Sequence, residues 1–262
     1  MSNDEKYVYS LVRIRKSGSQ SLVQMMTSAL PESRIYAMPP APPLADMGID
    51  FFEQLRRIRR TKKRLWKLFR TSSYPKAWIY LNHHLKAGDI VSGHFHYAAP
   101  QLPDWKLRNI TVVREPVERL YSDYRYCRQS YFQRPKWRRW YLAERLKIAG
   151  NGKFQDYIQY LHSRGDRFAN PYIGYITGGK AVGNPYEFLK DNYFHYGALE
   201  RMDIFTNQLA IKIGRQIDPI WKNKTKKSGS LDLEEFDQTK VDVLLGKDIE
   251  LYRSILAETD YR

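Results

Sequence analysis

The chain has 262 residues, 42% of them apolar and 14% aromatic, which is enough to fill the core of one α/β domain and excludes a disordered chain, a collagen-like repeat and a disulfide-stapled miniprotein. Its 44 Lys and Arg against 28 Asp and Glu leave a formal charge of +16, a balance that admits nucleic acid, anionic polysaccharide, phosphorylated cofactors and acidic membrane surfaces as partners. Cys127 is the single cysteine, so neither an intrachain disulfide nor a Cys-based zinc site can form, and a reducing compartment fits.

The opening residues 1–6 are polar and lead into a short apolar run broken by Arg13, Arg15 and Lys16, which is neither a signal peptide nor a membrane span. With Met1 as the start, the expected location is cytoplasmic. Residues 7–14 read as a buried strand and 19–30 as a helix, with Leu22, Val23, Met26 and Leu30 at helical spacing. Between them Arg15-Lys16-Ser17-Gly18-Ser19 makes a strand–loop–helix opening. Pro31, Pro39, Pro40, Pro42 and Pro43 then mark an irregular connector. From Gln54 to Gly88 there is no acidic residue, while Arg56, Arg57, Arg59, Arg60, Lys62, Lys63, Arg64, Lys67 and Arg70 crowd one helix with Leu55, Ile58, Leu65, Leu68 and Phe69. This basic helical insertion around residues 51–70 presents either a solvated charged face or a surface for an anionic ligand or membrane. Residues 89–93 and 109–113 read as two further strands, and 116 to about 131 as a helix with Pro116 in its first turn. Further helices are expected at 137–149, 154–162, 203–213 and 239–257. Strands alternating with helices predict one α/β domain over residues 1–262, with a central parallel sheet flanked by helices.

A loop that leaves a strand and enters a helix presents free backbone N–H groups at the positive end of that helix, and so can hold a phosphate-like anion. Lys16, Ser17, Gly18, Ser19 and Ser21 suit that role: Gly18 allows close approach, the hydroxyls donate, and Lys16 supplies a mobile charge. A plain turn with a surface lysine fits the same residues. The Walker pattern does not fit, because Lys16 precedes the glycine instead of following a Gly-rich loop, and a kinase-like phosphotransferase loses its main support. A second element runs Ile110-Thr111-Val112-Val113-Arg114-Glu115-Pro116-Val117-Glu118-Arg119-Leu120-Tyr121-Ser122. Arg114 ends the apolar strand and Ser122 comes about two helical turns later, so a guanidinium and a hydroxyl share the sheet edge where open α/β folds bind ligands. The alternative is that Arg114 pairs with a carboxylate on the next element.

Together, Arg-Lys-Ser-Gly-Ser-Gln-Ser-Leu after the first strand and Arg-Glu-Pro-Val-Glu-Arg-Leu-Tyr-Ser-Asp-Tyr after a later one resemble the two cofactor signatures of sulfotransferases that use 3′-phosphoadenylyl sulfate (PAPS). The Arg-x-Pro-Val-Glu-Arg-x-x-Ser form, with Ser92-Gly93-His94-Phe95-His96-Tyr97, is most similar to the carbohydrate branch, in particular the heparan and uronyl 2-O-sulfotransferases. The resemblance spans about residues 7–126, with echoes at 197–201 and 223–225. It implies a P-loop nucleotide-kinase-like sulfotransferase fold without the Walker lysine. It implies that Arg15, Lys16, Ser17, Gly18, Ser19, Gln20 and Ser21 hold the 5′-phosphosulfate and that Arg114 and Ser122 hold the 3′-phosphate. A late loop with Lys224 and Thr225 would close over the cofactor.

Sulfonate transfer to an alcohol needs a base and a cation, and no metal. Histidine is partly neutral near pH 7 and suits the base. His94 and His96 follow the third strand and, by alternation, are expected on one side of it; the resemblance favours His94 as the base and leaves His96 as the second catalytic candidate. Each could also be a packed or capping residue. Lys16 is the candidate cation for the leaving group. His83, His84, His162 and His195 have no spacing that makes a metal site. From Tyr121 to Tyr141 aromatic residues interleave with Arg125, Arg128, Arg134, Lys136, Arg138 and Arg139, a pattern open to sugar stacking, to single-stranded nucleic acid, or to a helix core with a solvated rim. No nucleic-acid module signature is present, which counts against nucleic acid. The expected activity is therefore PAPS-dependent transfer of sulfonate to a hydroxyl of a carbohydrate, an anionic glycan included. The second reading is a non-catalytic binder of nucleic acid or acidic membranes, with peripheral membrane contact through residues 56–70.

Overall fold

A computed structural model describes residues 6–38, 74–97, 100, 102–218 and 236–260. Five strands, β1 (Tyr7–Val12), β2 (Ile35–Ala37), β3 (Ile90–Gly93), β4 (Lys106–Val113) and β5 (His195–Ala198), form one sheet in the order β2-β3-β1-β4-β5. Every neighbouring pair is parallel. Register is set by pairs such as Val12 with Gly93, Leu11 with Ile110 and Val112 with Gly197. The chain is thus an α/β domain with a central parallel sheet.

Helices cover both faces because the strands are apolar on both. Val8 and Val12 of β1 point to one face with Val91 and Val113. There they meet α2 (Tyr74–His84), α6 (Pro171–Thr177), α7 (Pro185–Asn192) and the long α9 (Gln238–Asp260). The alternate residues Tyr9 and Leu11, with Ile90, Ile110 and Val112, face α1 (Ser19–Ala29) and α8 (Met202–Ile213). Trp78 of α2 is fully buried against Phe95, its ring at 5.4 Å edge-on, a contact that anchors the segment after β3. A third cluster joins α3 (Pro116–Phe132), α4 (Glu144–Asn151), α5 (Phe154–Ser163) and α9. At its centre Arg145 pairs with Asp123 and donates to the Tyr157 hydroxyl, which donates to Asp123 at 2.8 Å. All three are buried, so removing Arg145 or Asp123 would strand the other's charge at a cost of about 3–5 kcal/mol. That network fixes α3, the helix that carries Ser122.

Several elements differ from the sequence expectation. β1 ends at Val12, two residues early, because Ser17 and His94 hold the following residues in a loop. The helix expected over 137–149 is two pieces. Lys136–Tyr141 is a 3-10 helix, Leu142 and Ala143 are extended, and α4 follows. Leu142 is buried in the third cluster, and the need to insert it breaks the helical run. The basic insertion around 51–70 and the proline-rich stretch after residue 38 lie outside the described residues. No helix among the described residues is long and apolar enough to cross a membrane.

The strand order places the site. From β1 the chain passes to β2 and β3 on one side, then crosses to β4 on the other. The crevice above the C-terminal end of β1 is therefore a topological switch point, where sheets of this kind receive ligands.

Candidate functional site

Residues 13–18 leave β1 between the ends of β3 and β4. Arg13 N–H donates to the Gly93 carbonyl at 3.0 Å, and the Ser17 hydroxyl donates to the Ile14 carbonyl at 2.8 Å. Ser17 thus spends its proton inside the loop, and what it offers an anion is its backbone N–H. Lys16 has φ 66° and Gly18 φ 75°. For a lysine this left-handed backbone costs about 1–2 kcal/mol, strain of the kind that clusters at ligand sites. Gly18 also lies under Leu199, whose terminal carbon would be 2.5 Å from an added Cβ. Ser19 and Ser21 are buried in the first turn of α1; Arg13 Nε lies 3.5 Å from the Ser19 Oγ, at the limit of a hydrogen bond. Gln20 is exposed at the same turn.

The N-termini of α1 and α3 contrast. On α3 the Glu115 carboxylate accepts from the Val117 and Glu118 N–H groups, closing that end with the chain's own anion. On α1 no side chain caps the helix and its first turn holds no acid. The positive end of α1 is the one left for an outside anion.

Cations gather there. Burial lowers the pKa of Lys16, and the charges of Arg15 and Arg114 lower it further. Burial likewise lowers that of Arg13. Lys16 Nζ stands 4.8 Å from the centre of the Tyr126 ring and Arg15 Cζ 6.0 Å from it. Ser122 is four residues before Tyr126, so it shares the α3 face that meets the loop. Arg114 is held by its backbone, since the Tyr172 hydroxyl donates to its carbonyl at 2.6 Å. Its Nη2 donates to Glu118 at 3.1 Å, the pairing with a carboxylate on the next helix that the sequence left open. A guanidinium carries five donors, so that one contact does not exhaust it.

His94 Nδ1 lies 2.7 Å from the Arg13 carbonyl oxygen. A carbonyl can only accept, so Nδ1 carries the hydrogen and Nε2 is the basic nitrogen of the neutral ring. His96 does not continue the strand pattern, because β3 stops at Gly93. Its ring lies 4.8 Å from that of Tyr175 on α6, and burial lowers its pKa. The two histidines thus engage different elements. Lys224 and Thr225 lie outside the described residues.

Sequence reasoning missed four contributors. Arg13 was visible beside the loop but carried no motif. Tyr172 and Tyr175 arrive from α6, far along the chain from both Lys16 and Arg114, with no local signal. The Tyr175 hydroxyl is buried without a hydrogen-bond partner, and Arg15 is the first of the charges that oppose the effect of burial on it. Asp248 of α9 accepts from the Tyr172 and Ile173 N–H groups at 2.9 and 3.1 Å, and so sets the position of α6. A separate cleft is lined by Tyr121, Tyr124, Arg125, Arg128, Lys153 and Phe154, on the α3 stripe beside Ser122. Among the described residues no group of three or more His, Cys, Asp or Glu is placed to hold a metal ion. No protein-family model matches the chain and no curated protein matches it, so the reading of this site rests on its own residues.

Proposed function

We propose that the chain is a sulfotransferase of the PAPS-dependent type, with a P-loop nucleotide-kinase-like fold, that moves a sulfonate to a hydroxyl of a carbohydrate. The observation that carries this reading is the convergence of Arg15, Lys16 and Arg114 at an uncapped helix N-terminus, beside a histidine whose tautomer is fixed by the same loop. The crowded cations fit a ligand with several negative charges: burial first, then the charges of Arg15 and Arg114, lower the pKa of Lys16, and an anion bound among them would relieve that repulsion.

Lys16 and the N–H groups of Ser17, Gly18 and Ser19 would hold the phosphosulfate end; Arg114 and Ser122 would hold the 3′-phosphate. When bound, the donor supplies a sulfonate joined through a bridging oxygen to phosphate, so that one S–O bond forms to the acceptor as another breaks. His94 Nε2 takes the proton of the acceptor hydroxyl, while Nδ1–H stays on the Arg13 carbonyl and stabilises the resulting imidazolium. Lys16 places its charge where the departing oxygen becomes negative. The cleft with Tyr121, Arg125, Arg128 and Lys153 favours an acceptor with sugar rings and acidic groups.

The test is transfer of labelled sulfonate from PAPS to a panel of glycan, lipid and phenolic alcohols. The wild-type chain is expected to label a glycan, and His94→Ala to lower turnover about 10²–10⁴-fold with the affinity for adenosine 3′,5′-bisphosphate little changed. Normal turnover in His94→Ala would remove that residue as the base, and no labelling by the wild type would end the proposal.

A further inference from the structure

Between Asp123 and Glu144 the chain has no acidic residue and six cations, Arg125, Arg128, Arg134, Lys136, Arg138 and Arg139. The outer part of this stretch is the 3-10 helix Lys136–Tyr141. With three residues per turn, positions three apart eclipse, so Trp137 and Trp140 stand side by side. They are 65% and 81% exposed, Tyr141 is 80% exposed and Phe132 is 51% exposed. Four large aromatic side chains left in water within ten residues form a patch that soluble surfaces ordinarily avoid.

The patch is held in place. Arg139 donates through Nε to the Arg134 carbonyl at 3.0 Å, and its guanidinium lies 4.8 Å from the Tyr131 ring and 5.3 Å from the Phe132 ring. Arg138 lies 4.5 Å from the Trp137 ring. Aromatic groups with an apolar body and a polar edge, ringed by Arg and Lys, are what the boundary between lipid headgroups and acyl chains accepts. Each cation near an anionic lipid surface adds about 1 kcal/mol. The 3-10 helix Lys136–Tyr141 shares no residue with the cleft of Tyr121, Arg125, Arg128 and Lys153 that is offered to the acceptor. We propose that the 3-10 helix Lys136–Tyr141 with Phe132 docks the protein on an anionic lipid bilayer, Trp137 and Trp140 entering the interface and the surrounding cations meeting the headgroups. This docking stands apart from the transfer chemistry and from the basic stretch at residues 56–70.

The full chain is sedimented with vesicles of phosphatidylcholine containing about one-third phosphatidylglycerol and with vesicles of phosphatidylcholine alone. Binding to the anionic vesicles, weakened by salt, is expected. The double variant Trp137→Ala, Trp140→Ala should lower it about tenfold or more. Both side chains are exposed, so the variant should keep its melting temperature, which circular dichroism checks. Brominated lipids in the anionic vesicles should quench the fluorescence of the wild type more than that of the variant. Equal partitioning of the two proteins would place the membrane contact elsewhere and overturn the proposal. So would a wild type that ignores anionic vesicles, including one that instead binds heparin or single-stranded oligonucleotide through these tryptophans.

Discussion

Asp248 is fully buried on α9, and its two oxygens meet the N–H groups of Tyr172 and Ile173 at the start of α6. Tyr172 in turn holds the Arg114 carbonyl, so a carboxylate far from the crevice positions a residue at its rim. Burial raises the pKa of Asp248 to about 7, against the opposing pull of those hydrogen bonds and of the Arg119 charge. An unfolded aspartate titrates near about 3.9. The folded chain therefore holds the extra proton between those values, and this group's contribution to stability is largest below about pH 4, falls as pH rises, and is flat above about pH 7. Denaturant unfolding of the wild type should lose more stability between about pH 5 and about pH 8 than that of Asp248→Asn, by on the order of 1–3 kcal/mol. Parallel profiles for the two proteins would show that the carboxylate is ionised in the fold throughout that range. His94 makes a different point at the same scale: a single contact to a carbonyl decides which of its nitrogens is basic.

The loop after β1 depends on Gly18. Its φ of 75° suits glycine, and Leu199 crowds the space a methyl would take. Gly214, with φ 65° and nothing within 4 Å of an added Cβ, isolates the backbone cost. Gly214→Ala should lower stability by about 1–2 kcal/mol. Gly18→Ala should lower it by about the same or slightly more, since the leucine methyl can turn aside, but should also weaken anion binding, which Gly214→Ala should leave unchanged. Equal binding by both variants would separate the loop from the anion. Much of this region was legible in the sequence, because β1, α1, β3, β4 and α3 each carry their own apolar period and their own punctuation at Gly18, Gly93 and Pro116. Other elements had no such signal. β2 is three residues long with both ends exposed, and β5 reads His-Tyr-Gly-Ala, with no apolar run. Both exist because a neighbouring strand supplies the hydrogen bonds. The break at Leu142 and Ala143 was hidden for the same reason, since it answers to a core built by α3, α5 and α9. At the candidate site, the residues next to glycine and proline markers carry a local signal, while Tyr172, Tyr175 and Asp248 carry none, because folding alone brings them near.

At the scale of the whole molecule, the order β2-β3-β1-β4-β5 brings three strand ends together. Each carries one part of the site: the loop with Arg15 and Lys16 after β1, His94 after β3 and Arg114 after β4. A charge of +16 would draw almost any polyanion to such a surface, so attraction alone does not distinguish a donor site from a general basic face. What distinguishes it is dependence on particular cations. Calorimetric titration of adenosine 3′,5′-bisphosphate into the full chain should show saturable binding at one site, weakened about tenfold or more by Lys16→Ala and likewise by Arg114→Ala. Absence of saturable binding, or an affinity that neither substitution changes, would contradict a donor site at the end of β1.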